Sequence, residues 1–408
     1  MIDTDRPYFF LRPLLAADCG WVALDWHAGD PLTTKSIDLK RYFIESGAAP
    51  LASMLPLVTP IDPEYLEDNT FLDGFDNRQV VFVLPASCAE DEAVLDRCKE
   101  IHTKGKHIGL RLDRANLLHH VPLAAFDTLC LDAAFARQEL SAADLTYAKD
   151  AGFRKIATPV NSHEMFGWLS GQGFDWYDSQ FLTKRKHPSG VEPDMTRLKL
   201  LKLFNLVQQD ADTREIEGIF REEPKLSYNL LRLVNSAAVG ARSTISNFNQ
   251  AIALLGRRQL QRWLQLLIYA NNLSDGNAPN PLMQLAAARG RQMELLSAEI
   301  DPPPGLPELT DNAFMTGLFS LLDILINMPM SEILAELPLH SEVEDALSFP
   351  DDDGILGQLL SGVIAGESGA YAKAASIFSC LGISAAAHAK SQVAALYWAC
   401  RINIENAG

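Results

Sequence analysis

Basic residues are scarce. Lys and Arg total 35 against 52 Asp and Glu in 408 residues, a formal net charge of −17. That balance excludes an extended nucleic-acid surface, which needs clustered cations to displace the counterions of phosphates. The longest basic run, Lys184-Arg185-Lys186, reads as a solvated linker edge. The six cysteines show no CxxC or CxxH spacing, so neither a zinc site nor a redox dithiol is indicated. No GxGxxG or GxxxxGK[ST] phosphate loop occurs. No His-Asp dipeptide is present and His340 and His388 stand alone, which argues against a hydrolytic metal centre in the C-terminal half, where several His and Asp would have to converge. No apolar stretch approaches the roughly 18 residues of a membrane span. The opening MIDTDRPYFF carries acids where a leader would carry positive charge. The expectation is a cytoplasmic chain with reduced thiols, no membrane insertion and no cofactor.

What is present divides into two patterns, as the length favours, with about one domain per 100–200 residues. Between residues 80 and 182, short β-like runs alternate with helical ones. VVFVLPA (80–86), HIGLRLD (107–113), TLCLDA (128–133), RKIATPV (154–160) and FDWYDSQFL (174–182) read as strands. EDEAVLDRCKEIHTKG (90–105) reads as a helix stopped by Gly105, and Ser141 with Asp144 forms a capping-box-like start to a helix ending near Gly152. A short helical segment is expected near Pro122, and EMFGWLSGQG (164–173) is a further helix. Such alternation implies a parallel sheet, open or closed into a barrel. The first seventy residues are too irregular for every strand to be placed.

HPSGVEPDM (187–195) carries two prolines and a glycine and reads as a linker. Beyond it the apolar residues recur at helical spacing, as in Leu226, Leu230, Leu233 and Val234. EVEDALSFPDDDG (342–354) reads as an acidic solvated loop, His119-His120 as a surface turn, and Trp26, Trp168 and Trp176 as packing residues.

REEPKLSYNLLRLVNSAAVGARSTISNFNQAIALLGRRQL resembles the signature of HDOD domains, matching at Glu223, Pro224, Leu226, Leu233, Asn235, Ser236, Ile245, Ser246, Ala251, Ile252, Leu255 and Gly256. The family usually has Asp where Glu223 stands. The resemblance implies a helical domain over 196–408, similar to HD-type phosphohydrolases but without their metal ligands. Asn235 and Ser236 are expected to hold a helix end and the loop after it through side-chain-to-backbone hydrogen bonds.

A parallel α/β unit ahead of such a domain resembles the EAL–HDOD proteins of bacterial signalling. EAL domains are TIM-like (β/α) barrels that hydrolyse cyclic di-GMP with Mg2+ or Mn2+ held by carboxylates at the strand ends, where barrel active sites lie. Position by position the resemblance implies loss of that set. The Glu of the signature falls on Val22 of WVALDW, with Asp25 expected on the other side of the strand. The further ligand positions fall on Pro85, on the pair Asp113-Arg114, on Cys130 with Asp132 retained, and on Asn161; the closing glutamine falls on Asp178. The expectation is therefore α/β plus all-α: a degenerate barrel over 1–186, a linker over 187–195 and a helical domain over 196–408. It implies a non-catalytic scaffold acting through an unidentified signalling partner in cyclic di-GMP-related control of motility or biofilm. A receptor that binds the nucleotide without hydrolysis, and an active phosphodiesterase, are the alternatives.

Overall fold

The computed structural model describes residues 7–28, 37–185, 195–209, 261–262, 264–265, 268, 281–306, 308–337, 339–349 and 353–404. Of the expected linker (187–195), Met195 already opens a helix, and its other residues, together with the HDOD-like signature from Glu223 to Gly256, with Asn235, Ser236, Ser246 and Ala251, lie outside the described residues.

Eight strands close into a barrel in sequence order: β1 (Phe9–Leu15), β2 (Trp21–Ala28), β3 (Leu57–Pro60), β4 (Val80–Leu84), β5 (His107–Leu112), β6 (Thr128–Leu131), β7 (Arg154–Ala157) and β8 (Trp176–Asp178). The sheet is not wholly parallel as expected: β1 runs antiparallel to both β2 and β8, while β2 to β8 are parallel. The connection explains this. Only the turn of residues 16–20 joins β1 to β2, closed by Ala16 N–H to Gly20 O (2.9 Å) with Cys19 at a positive φ of 63°. A parallel crossover needs a dozen or more residues. Those first strands escape detection because no helix separates them.

Later in the unit, capping side chains start the helices, at Ser141 with Asp144 as the sequence indicates and elsewhere beyond that reading. Asp91 accepts from the amides of Ala93 and Val94 at the head of α4 (Glu92–Thr103), which follows α1 (Ile37–Glu45), α2 (Ala49–Met54) and α3 (Asn69–Leu72). Asp132 caps α5 (Ala133–Glu139), Ser141 and Asp144 form a reciprocal capping box on α6 (Ala142–Asp150), and Ser162 caps α7 (His163–Gly171). FDWYDSQFL is shorter as a strand than expected, since a 3-10 helix takes over at Ser179–Thr183.

Strand alternation sorts the side chains. Leu14, Ala23, Val58, Val81, Val83, Cys130 and Ile156 form one buried cluster with Trp176 against it, so these positions face the barrel interior. The opposite faces pack outward: Trp26 stacks on Phe9 at 4.5 Å, and both meet Tyr42 of α1.

The chain divides into two compact units, Met1–Lys186 with Ile364–Ala394, and His187–Val363 with Ala395–Gly408. Ile364–Ala394, which the sequence reading places in the helical domain, thus groups with the barrel. It contains α15 (Tyr371–Cys380), and the division falls within α14 (Ile355–Glu367) and α16 (Ala385–Ile404). A physical reason lies on β1. Strand β8 pairs only with Leu14 and Leu15, and the Leu11 amide donates instead to the Gln392 side chain (2.9 Å).

The second unit is helical in its described residues: α8 (Met195–Gln208), α9 (Pro281–Ser297), α10 (Leu309–Phe319), α11 (Leu322–Ile326), α12 (Met330–Glu336), α13 (Ser341–Ser348) and the ends of α14 and α16. The expected acidic loop is in part α13, whose Val343, Ala346 and Leu347 are buried. Helices α9 and α10 touch backbone to backbone: a Cβ on Gly317 would lie 2.7 Å from the Gly290 Cα. Contrary to the sequence reading, one stretch, Leu309–Ile326, is long and apolar enough to cross a membrane, with a mean hydropathy of 1.3 over 18 residues. It is broken near Ser320 and is 67% buried within the protein.

Candidate functional site

The C-terminal ends of β2 to β8 define the barrel mouth, and antiparallel β1 brings its N-terminal half to the same end. Arg12 is the register partner of Asp25, and Phe10 of His27. Arg12 shares the inward parity of Leu14, Asp25 and His27 that of Ala23, and Asp178 that of Trp176. The four polar residues converge. Arg12 Nη2 lies 3.1 Å from Asp25 Oδ2, and Arg12 Nη1 lies 3.1 Å from Asp178 Oδ2. His27 Nε2 is 2.6 Å from the same Asp25 oxygen and 3.1 Å from Arg12 Nη2. Asp25 being acceptor-only, the network assigns the His27 hydrogen to Nε2, and the approach of Arg12 to that nitrogen is then a packing contact.

Arg12, Asp25 and Asp178 are 6%, 7% and 1% exposed, so the carboxylates are neutralised inside the protein rather than by solvent. Burial disfavours the guanidinium, but Asp178 and Asp25 outweigh it and raise its pKa. Burial also pushes Asp25 up, yet His27 and Arg12 prevail and hold it below the ordinary carboxylate range. For Asp178 burial wins and its pKa is raised, despite Arg12 and the Gln180 amide. Burial pushes the Cys130 thiol up to about 12, so it is a neutral core group.

The segment 364–394 covers this cluster. The Tyr371 ring stacks on His27 at 4.9 Å and on Phe10 at 5.2 Å, and the Arg12 guanidinium lies 5.7 Å from its centroid. The Tyr371 hydroxyl is buried without a hydrogen-bond partner. Gly366 lies so close that a Cβ there would meet Phe10 Cδ1 at 2.8 Å. Behind them the buried His388 packs on Tyr8, Phe10 and Phe378, and burial pushes its pKa down to about 3.

Of the positions singled out in the sequence, Asp178 joins the cluster and Cys130 lies in the buried barrel interior, while the others stand apart. Val22 lies on the outward face; the side of β2 that carries Asp25, expected to point away from the site, is the one that faces it. Pro85 is exposed where β4 ends. Arg114 pairs with Asp113 (3.1 Å) and Glu90 (3.4 Å) in solvent. Asp132 accepts from the Phe135 amide and Asn161 is exposed. His119 pairs with Asp144 (2.7 Å) and packs on Tyr147. Trp176 carries Arg154 over its ring at 4.5 Å, and Trp168 carries Arg137 at 5.9 Å. Sequence reasoning missed Arg12, His27 and Tyr371. A charged residue inside the apolar run FFLRPLL was the available signal for Arg12.

The divalent cations implied by the EAL resemblance do not fit this mouth. Its buried carboxylates already hold a guanidinium, and Asp113 and Asp132 are engaged by Arg114 and a helix amide. Among the described residues no group of three or more His, Cys, Asp or Glu is disposed to hold a metal ion.

This is a closed, eight-stranded α/β barrel with a helical second unit. Residues 195–344 match the HDOD domain. The chain is 24% identical over 289 residues to the uncharacterized protein YuxH of Bacillus subtilis, covering 69% of each chain. It is 25% identical over 338 residues to the cyclic di-GMP phosphodiesterase CdgJ of Vibrio cholerae, covering 80% of this chain and 71% of that one. Similar solved structures include the PaMucR phosphodiesterase in complex with c-di-GMP (12% identity, TM-score 0.34, 43% of this chain and 95% of that one). The EAL domain of Mycobacterium smegmatis DcpA is another (17% identity, TM-score 0.35, 44% and 92%).

Proposed function

We propose that this chain is a non-catalytic signalling scaffold of the EAL–HDOD type, acting by protein–protein contact in cyclic di-GMP-related control of motility or biofilm. The observation that carries the reading is the barrel mouth. Phosphodiester hydrolysis by a two-metal route needs open carboxylates that bridge cations and present a water. Here the inward carboxylates, Asp25 and Asp178, are spent on Arg12, and Tyr371 stacks over them. The strand-end residues Pro85, Cys130 and Asn161 offer no carboxylate, and the retained Asp113 and Asp132 serve local structure.

The likeness to CdgJ supports the pathway and not the activity, which turns on site residues rather than fold. A receptor role for the barrel would lean on Arg114 as a phosphate contact, and Arg114 is already engaged by two acids.

The test is incubation of the full chain with cyclic di-GMP and MgCl2 or MnCl2, followed by chromatography. Intact nucleotide is expected. Linear dinucleotide produced above a protein-free control would overturn the reading and make the chain a phosphodiesterase.

A further inference from the structure

We infer that the cleft between α1 and the start of α16 is a binding site for a small, neutral, ring-sized ligand carrying a hydroxyl. The cleft lies within the barrel unit, beside the outward-facing Phe9, and the inference does not depend on the reading of the mouth.

Its walls are apolar and built largely of short side chains. Pro7, Phe9 of β1, and Ala385, Ala386 and Ala389 of α16 line it opposite α1. Helix α1 contributes two pairs of residues, each one turn apart. Arg41 and Glu45 form an ion pair at 3.2 Å, both about half exposed, at the rim. Tyr42 and Ser46, only 4% and 9% exposed, line the same cleft from within. Ser46 extends the helix, its amide donating to Tyr42 O at 2.9 Å, which sets the two side chains on one face. Phe9 meets the Tyr42 ring edge-on at 5.1 Å and fixes its position.

The two hydroxyls carry the inference. Both are buried, and neither has a hydrogen-bond partner among the described residues. Buried polar groups are ordinarily bonded, so an unpaired pair in one cleft points to a group that completes it. Even a bond between the two would use only one of their two hydrogens. Burial pushes the Tyr42 phenol far above its ordinary range, and the adjacent Ser46 hydroxyl offsets this only in part, so it stays a neutral donor. A ligand hydroxyl can accept one of these hydrogens and donate its own, while its ring rests on Phe9 and the alanines. The ligand is neutral because Arg41 and Glu45 already offset each other. An ion entering the cleft would shed its hydration and meet no counter-charge.

The experiment is fluorine NMR of 4-fluorophenol, and of 4-fluorotoluene as its counterpart without the hydroxyl, titrated at neutral pH with the full-length protein. The phenol line should broaden saturably with a Kd of about a millimolar, and the toluene should bind about tenfold more weakly. Tyr42→Phe/Ser46→Ala deletes both hydroxyls and should bind the two probes alike. It should also melt no lower than wild type, since it removes groups without partners. Ala386→Leu fills the cleft without weakening the helix and should bind neither probe. No saturable broadening by the wild type would mean that the cleft holds only water, and would overturn the inference. A preference for the phenol that survives in the double variant, or binding that survives Ala386→Leu, would place the probe elsewhere and overturn it equally. So would a double variant whose Tm falls by about 3 °C or more, because the hydroxyls would then be bonded within the protein.

Discussion

Arg12 and Asp25 face each other across the β1–β2 hairpin, register partners whose side chains meet inside the barrel at 3.1 Å. Removing one partner of a buried pair leaves an uncompensated charge and costs about 3–5 kcal/mol. Asp25→Asn is expected in that range, because Asp25 also holds His27. Asp178→Asn should cost far less, under about 1 kcal/mol, because Arg12 keeps Asp25 and the folded state already disfavours ionised Asp178. Urea unfolding of the two variants at neutral pH checks the order; equal losses would contradict it.

Tyr371 separates packing from polarity. Tyr371→Ala removes a ring stacked on Phe10 and His27 and is expected to cost about 3–5 kcal/mol. Tyr371→Phe keeps the ring and deletes a buried hydroxyl without a partner, so it should be neutral or stabilising by about 1 kcal/mol. Denaturant midpoints distinguish the two, and a loss in the phenylalanine variant would show that the hydroxyl is bonded.

His388 sets an acid limb on stability. In the unfolded chain it takes up a proton near pH 6.5, but burial lowers its folded pKa to about 3. A depressed histidine pKa means the unfolded state binds more protons over that window. Stability therefore falls as pH drops from about 6.5, at up to about 1.4 kcal/mol per pH unit for this group. Comparing unfolding of wild type and His388→Leu between neutral and acidic pH should show a shallower acid limb in the variant. Parallel limbs would contradict the assignment.

In the helical unit, Gly317→Ala would push a Cβ to 2.7 Å from the Gly290 Cα, a backbone contact with no side chain able to yield. A loss of about 1–3 kcal/mol or more is expected, against helix propensity, which favours alanine over glycine by about 1 kcal/mol. Circular dichroism melts decide the sign.

Strands β4 to β7 are legible in the sequence because each is a short apolar run between helical stretches punctuated by residues such as Gly105, Ser141 and Gly152. The β1–β2 hairpin is not, since Ala16 to Gly20 carries no helix to mark a crossover. The site is less legible still. Arg12 meets Asp25 only through hairpin register, and Asp178 and Tyr371 reach them only once the barrel closes and 364–394 folds onto it. Reading Val22 as the site position of β2 put attention one residue off the inward face, and at β2 a one-residue slip exchanges interior for exterior. Local spacing carries helix caps and strand runs; it does not carry which distant side chain fills a barrel mouth.

The central claim is that this mouth is filled by the protein's own side chains. Calorimetric titration of the full-length protein with cyclic di-GMP in the presence of Mg2+ tests it most directly. The account predicts no binding heat and unaltered nucleotide. Saturable heat at one nucleotide per mouth, lost in a variant carrying a bulky residue at Gly369 beside Arg12, would contradict it and make the barrel a receptor.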